Sequence, residues 1–137
     1  MGARRKAREL ALQMLYQHDL SGNPPDTIVD TFEELQKANP NTREFASRIF
    51  HGTVTHLAKI DEMITAQADN WRLSRMAVVD RNIIRMSIYE FLHEEDTPKL
   101  VIIDEAIEIA KKFGTLKSSQ FINGILDGIL KRYNLAS

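Results

Sequence analysis

Apolar residues return at intervals of three and four through almost every segment of this chain, the period of an α-helix with one buried face. From Arg4 to Leu20 they fall at Ala7, Leu10, Ala11, Met14 and Leu15. The stripe stops at Ser21-Gly22-Asn23-Pro24-Pro25, a run that breaks a helix. A second helix is expected from about Asp26 to Ala38, with Ile28, Phe32 and Leu35 inward. Asn39-Pro40 ends it, because the residue before a proline is pushed out of the α region. Asn41, with Glu44 three residues on, suits the cap of a third helix carrying Phe45, Ile49, Phe50, Val54 and Leu57. Ile60 and Ile64 either extend that helix past Gly52 or begin a short one of their own.

After Trp71, the segment from Ala77 to Leu92 sets Ile83, Ile84, Ile88 and Phe91 on one side and leaves Asp80, Arg81 and Glu90 for solvent or a partner. The Glu94-Glu95-Asp96-Thr97-Pro98 turn ends it. Leu100 to Ile103 has the β-branched content of a strand, yet it flows into Glu105-Ala106-Ile107-Glu108-Ile109-Ala110-Lys111-Lys112-Phe113. Acids early and lysines late suit a helix dipole, and Gly114 suits the helix end, so the whole reads as one helix. Ser118 or Ser119 then caps a last helix with Phe121, Ile122, Ile125, Leu126, Ile129, Leu130 and Tyr133 inward or partly so. Six or seven helices on short loops, with no hairpin signal, predict an all-α fold. The expected layout is one compact domain over 1–137 made of two small helical bundles, about 3–68 and about 72–134, divided near Asp69 to Arg75. No repeat and no low-complexity tract interrupts it.

Which chemistries can such a chain support? It has 137 residues, 43% of them apolar and 27% charged, enough to bury a core without covalent staples. It has no cysteine, which removes disulfides, thiolate zinc sites and cysteine nucleophiles. No apolar run approaches the roughly 18 residues of a membrane span, and the basic N-terminus leads into no signal-peptide core, so a cytoplasmic setting is expected. The histidines are His18, His51, His56 and His93. His51 and His56 stand roughly 140° apart around a helix, so they do not share one metal, and surface or packing roles are expected. Glu33-Glu34, Asp61-Glu62 and Glu94-Glu95-Asp96 diverge as neighbours on helices do, and read as solvated faces and helix-end charges rather than a catalytic pair. The six glycines form no phosphate-binding loop. An enzyme reading has no residue to rest on, and neither a metal nor a cofactor is expected.

Charge is more informative. The net charge is -1, but Arg4, Arg5, Lys6 and Arg8 gather at the N-terminus with no acid before Glu9, leaving fourteen cations against nineteen acids elsewhere. Cations at a helix N-terminus oppose the dipole and repel one another, and phosphate would relieve both. By itself the cluster is consistent with a solubilising terminus or with an RNA or DNA contact. Tyr16 and Phe121 could stack on unpaired bases if they stand beside such an arm, though both fall in apolar stripes where packing is the plainer role.

Several segments resemble one known family. Arg4-Arg5-Lys6-Ala7-Arg8-Glu9-Leu10-Ala11-Leu12-Gln13-Met14-Leu15-Tyr16 is similar to the N-terminal signature of the NusB family. Ile103-Asp104-Glu105-Ala106-Ile107-Glu108-Ile109-Ala110-Lys111-Lys112-Phe113-Gly114 resembles its "INEAIELAKKFG" segment, and Phe121-Ile122-Asn123-Gly124-Ile125-Leu126-Asp127 its "FVNGVLD". Asp80-Arg81, Arg85 and Tyr89-Glu90 also fit, and the likeness runs in order from about Arg4 to Tyr133.

That resemblance implies an all-α, two-bundle protein that binds the boxA element of nascent ribosomal RNA transcripts together with NusE, a small-subunit ribosomal protein. With further Nus factors on RNA polymerase, the pair carries transcription past terminators, by recruitment and not catalysis. Carried over by position, the resemblance gives Arg4, Arg5, Lys6 and Arg8 to RNA, with Lys117, Ser118, Gln120, Phe121 and Asn123 on the face beside them. It gives Tyr16, Asp80 and Arg81 to NusE docking. The departures are Asp104 where Asn is usual, Lys117 where an acid is common, and Gln120 for a frequent Lys; Asp104 at a helix start would still serve as a cap or dipole partner. Two other readings stand beside this one. One is a protein-interaction or homodimerisation module whose arm only solubilises. The other is the RNA-recognition domain of a ribosomal RNA methyltransferase, disfavoured because the chain stops at Ser137 without a cofactor-binding domain.

Overall fold

The computed structural model describes residues 2–68 and 72–135. Among them all regular structure is helical: α1 (Gly2–Ser21), α2 (Pro25–Thr31), α3 (Glu33–Lys37), α4 (Pro40–Thr55), α5 (Leu57–Gln67), a 3-10 turn (Leu73–Arg75), α6 (Val78–His93), α7 (Lys99–Phe113) and α8 (Ser118–Arg132). The all-α expectation holds, with eight α-helices described against six or seven expected. The excess has local causes. Phe32 adopts an extended conformation (φ -86°, ψ 99°), so the helix expected over 26–38 is two short ones. The stretch holding Ile60 and Ile64 is a helix of its own.

Caps differ from expectation in three places. Asn39, not Asn41, caps α4: its Oδ1 accepts the Thr42 N–H at 2.9 Å, and Pro40 occupies the first helical position, where a missing N–H costs nothing. Lys117, not a serine, precedes α8, and no side chain caps it; the Ser118 hydroxyl instead accepts the Thr115 N–H at 2.9 Å. Helix α7 begins at Lys99, with no acid in its first turn, so Asp104 lies exposed within the helix and caps nothing. Gly114 ends α7 in an extended conformation (φ -97°), not a left-handed one. Glycine is required there by space: a Cβ would collide with the Ser118 side chain and with the Ala110 carbonyl oxygen at 2.9 Å.

The chain forms two compact units, 1–55 and 56–137. In the first, α1 packs along α4, with α2 touching both and α3 joining α2 and α4. Leu10, Met14, Ile28, Leu35, Ile49 and Phe50 are fully enclosed, each worth about 1.5–3 kcal/mol of burial. In the second, α6, α7 and α8 pack against one another and α5 lies on α6 and α8. The division therefore precedes the 69–75 stretch, of which 69–71 lie outside the described residues. Arg85 on α6 ties α5 in place: its Nε and Nη2 donate to the two Asp61 oxygens at 2.8 and 3.0 Å, and its Nη1 to Asn82 Oδ1 at 3.1 Å. Asp61 is thus an ion-pair partner and not part of a solvated acidic face. Glu90, expected at the surface, is 1% exposed.

Candidate nucleic-acid interface

The basic cluster is helical from the outset, since α1 starts at Gly2. Arg4 and Lys6 are exposed, Arg5 is half-buried and Arg8 is buried. What organises the cluster is a residue that the apolar periodicity assigns only to the core. The ring of Phe45, on α4, has the Arg4 guanidinium 4.2 Å from its centroid, that of Arg48 at 5.0 Å and that of Arg8 at 5.4 Å. An aromatic face attracts cations through its quadrupole, which offsets part of the repulsion among three like charges. Arg48 is further neutralised by Glu44, whose two oxygens it reaches at 2.6 and 2.7 Å. Arg4 is therefore presented on a fixed ring, not on a frayed tail. Lys6 faces a different part of the same unit, a shallow cleft of about 300 Å³ shared with Glu34, Lys37, Asn39 and Thr42. Tyr16, later on α1, is 40% exposed.

In the second unit the candidate residues divide. Gln120 and Asn123 are exposed along α8. Lys117, Ser118 and Phe121 instead line a cavity of about 260 Å³ with Arg75, Met76, Ala77, Asp80 and Thr115. Ser118 is 1% exposed, and its hydroxyl is held by Thr115, through the backbone N–H at 2.9 Å and the side-chain oxygen at 3.2 Å. It shapes the turn and is poorly placed to meet a ligand. Phe121 is half-buried with Lys117 exposed nearby, an apolar ring beside a cation. Asp80 opens onto this cavity, and Arg81 donates from Nη1 to the Leu73 carbonyl at 3.4 Å, a long contact that steadies the 3-10 turn.

The histidines do not converge on a metal, and among the described residues no group of three or more His, Asp or Glu side chains suits one. His51 bonds the Ser47 carbonyl at 2.9 Å and Asp26 at 3.1 Å. His56 and His93, distant in sequence, stack with ring centroids 4.3 Å apart, and Tyr89 lies 5.0 Å from His93. Burial first, then the charge of His56, holds His93 below its ordinary pKa; Glu94 acts the other way. No helix among the described residues is long and apolar enough to cross a membrane.

Comparison with known proteins bears on this geometry. The NusB family model matches residues 5–131. A transcription antitermination protein NusB of Trichlorobacter lovleyi is 52% identical, with 93% of this chain and 89% of the relative covered. The solved structure of T. maritima NusB superposes with a TM-score of 0.84 at 40% identity, covering 93% of this chain and 90% of that one. A structure of antitermination factors NusB and NusE in complex with dsRNA matches with a TM-score of 0.87 at 28% identity, covering 97% of this chain and 99% of the other.

Proposed function

This chain belongs to the NusB family, and on that basis we propose that it is a transcription antitermination factor that binds boxA RNA of nascent ribosomal transcripts jointly with NusE. It acts in the cytoplasm by recruitment to RNA polymerase with other Nus factors, and catalyses no reaction. The observation that carries this reading is the likeness, over 97% of the chain, to a NusB solved together with NusE and RNA.

The site follows from the geometry. Arg4, steadied on Phe45, and Lys6 meet phosphates; Arg5 supports them. Arg8, buried against the same ring, holds the arrangement and does not itself reach out. On the second unit, Lys117 supplies a phosphate contact, Phe121 a stacking face, and exposed Gln120 and Asn123 hydrogen bonds. Tyr16 and Arg81 belong to the surface that receives NusE.

Fluorescence anisotropy with labelled boxA RNA and a scrambled control, with and without NusE, tests the assignment. Preferential boxA binding, strengthened by NusE, is expected. Equal weak binding to both RNAs, indifferent to NusE, would overturn it in favour of a helical interaction module.

A further inference from the structure

The 260 Å³ cavity holds more chemistry than backbone contact requires. Phe121 gives it an apolar aromatic wall, and Arg75 and Lys117, both exposed, give it cations. Asp80, in the first turn of α6, gives it a carboxylate, and Asp80 Oδ1 is buried with no hydrogen-bond partner among the described residues. A buried acceptor left without a donor costs free energy, and native structures satisfy nearly all such atoms. The nearby hydroxyls do not help, since those of Ser118 and Thr115 are engaged with each other.

We propose that this cavity receives one unpaired guanine base of the bound RNA. The base stacks on Phe121, its N1–H and N2–H donate to the Asp80 carboxylate, and an adjoining phosphate meets Lys117 or Arg75. Single-stranded RNA is read in this way, by aromatic stacking plus hydrogen bonds to the base edge. Guanine is the base that fits because it alone presents two neighbouring N–H donors to a carboxylate. Uracil offers one, while cytosine and adenine set an acceptor beside their amine, facing the second oxygen with repulsion. The volume is below the roughly 300 Å³ at which sites for drug-sized ligands begin, which suits one base and not two. The inference rests on the RNA-binding reading above. It moves Asp80 from partner docking to base selection.

The test uses the full chain and anisotropy at low salt, where phosphate contacts alone give measurable binding. The probes are a short labelled oligouridine, the same strand with one central guanosine, and its inosine counterpart, which lacks the N2 amine. Guanosine should tighten binding roughly tenfold over pure oligouridine, the low end for a bidentate base contact, and inosine should lose most of that gain. Asp80→Asn and Asp80→Ala should both bring the guanosine strand down to the oligouridine level, with melting temperatures no lower than that of the parent. Retention of the preference in both variants, or equal binding of guanosine and inosine strands, would overturn the pocket while leaving RNA binding intact. Failure of every RNA, including boxA with NusE, would instead overturn the RNA-binding reading itself. Guanosine monophosphate is the other source of the same base: displacement of the strand by GMP alone at micromolar levels would make a free nucleotide the ligand and overturn the RNA assignment.

Discussion

The two kinds of cation at the start of α1 separate phosphate contact from scaffolding. Arg5→Glu with Lys6→Glu should weaken boxA binding and leave the melting temperature nearly unchanged, because neither side chain is enclosed. Arg8→Ala should do the reverse in part. Its stem and guanidinium are buried against Phe45, so its loss should cost about 1–2 kcal/mol of stability, seen as a fall of several degrees by calorimetry. Equal melting temperatures for both variants would refute that division. Phe121→Ala should cost roughly 1–3 kcal/mol of RNA binding through lost stacking. His93 adds a pH dependence. Because its folded pKa lies below the unfolded 6.5, the unfolded chain takes up the proton first. Stability is thus full above about pH 6.5 and falls as pH drops through the window down to the folded pKa. His93→Gln should flatten the melting temperature between about pH 7 and pH 5.5; an unchanged slope would assign it to other groups.

At the level of elements, the Arg85–Asp61 pair shows what decides where a short helix packs. The Arg85 side chain is 8% exposed and that of Asp61 24%, so removing the arginine leaves a carboxylate partly enclosed without its counter-ion. Arg85→Leu should therefore destabilise the protein by about 3 kcal/mol, as measured by urea unfolding, with the loss of order centred on α5 in hydrogen exchange. Asp61→Asn, which retains one acceptor, should cost less. This contact also marks the limit of what the sequence discloses. The apolar period located α1, α4, α6, α7 and α8 because a buried stripe is local information. That α5 belongs to the second unit is set by a pair 24 residues apart, and Asp61 beside Glu62 has no local sign of it. The caps failed for a related reason: Asn39 and Asn41 both flank Pro40, and only the backbone decides which oxygen meets an orphan N–H. Phe45 and Asp80 were legible as a core residue and a surface acid. Their neighbours, Arg4 on one helix and Phe121 on another, come from elements that no spacing rule brings together.

For the molecule as a whole, electrostatics sets how tightly it can hold RNA unaided. The net charge is -1, and outside the four N-terminal cations acids exceed bases by five, so most of the surface repels phosphate. Binding then depends on a few local contacts. Arg4, Lys6 and Lys117 are the exposed cations to which the geometry gives that role. About three phosphates on a single strand give a slope near -2 for log K against log[salt]. The slope should be similar for boxA and a scrambled strand, since counterion release carries no sequence information, while the intercepts differ by whatever base reading contributes. Reversing Arg5 and Lys6 should flatten the slope by about one unit, because the phosphates nearest α1 would no longer be neutralised. A slope near -5 would reveal a much broader basic surface than the charge distribution allows, and a slope of zero would remove phosphate contact from the account. With so few contacts, affinity for RNA alone should be modest and should rise when NusE adds its own, and anisotropy titrations at several salt concentrations, with and without NusE, measure both quantities in one series.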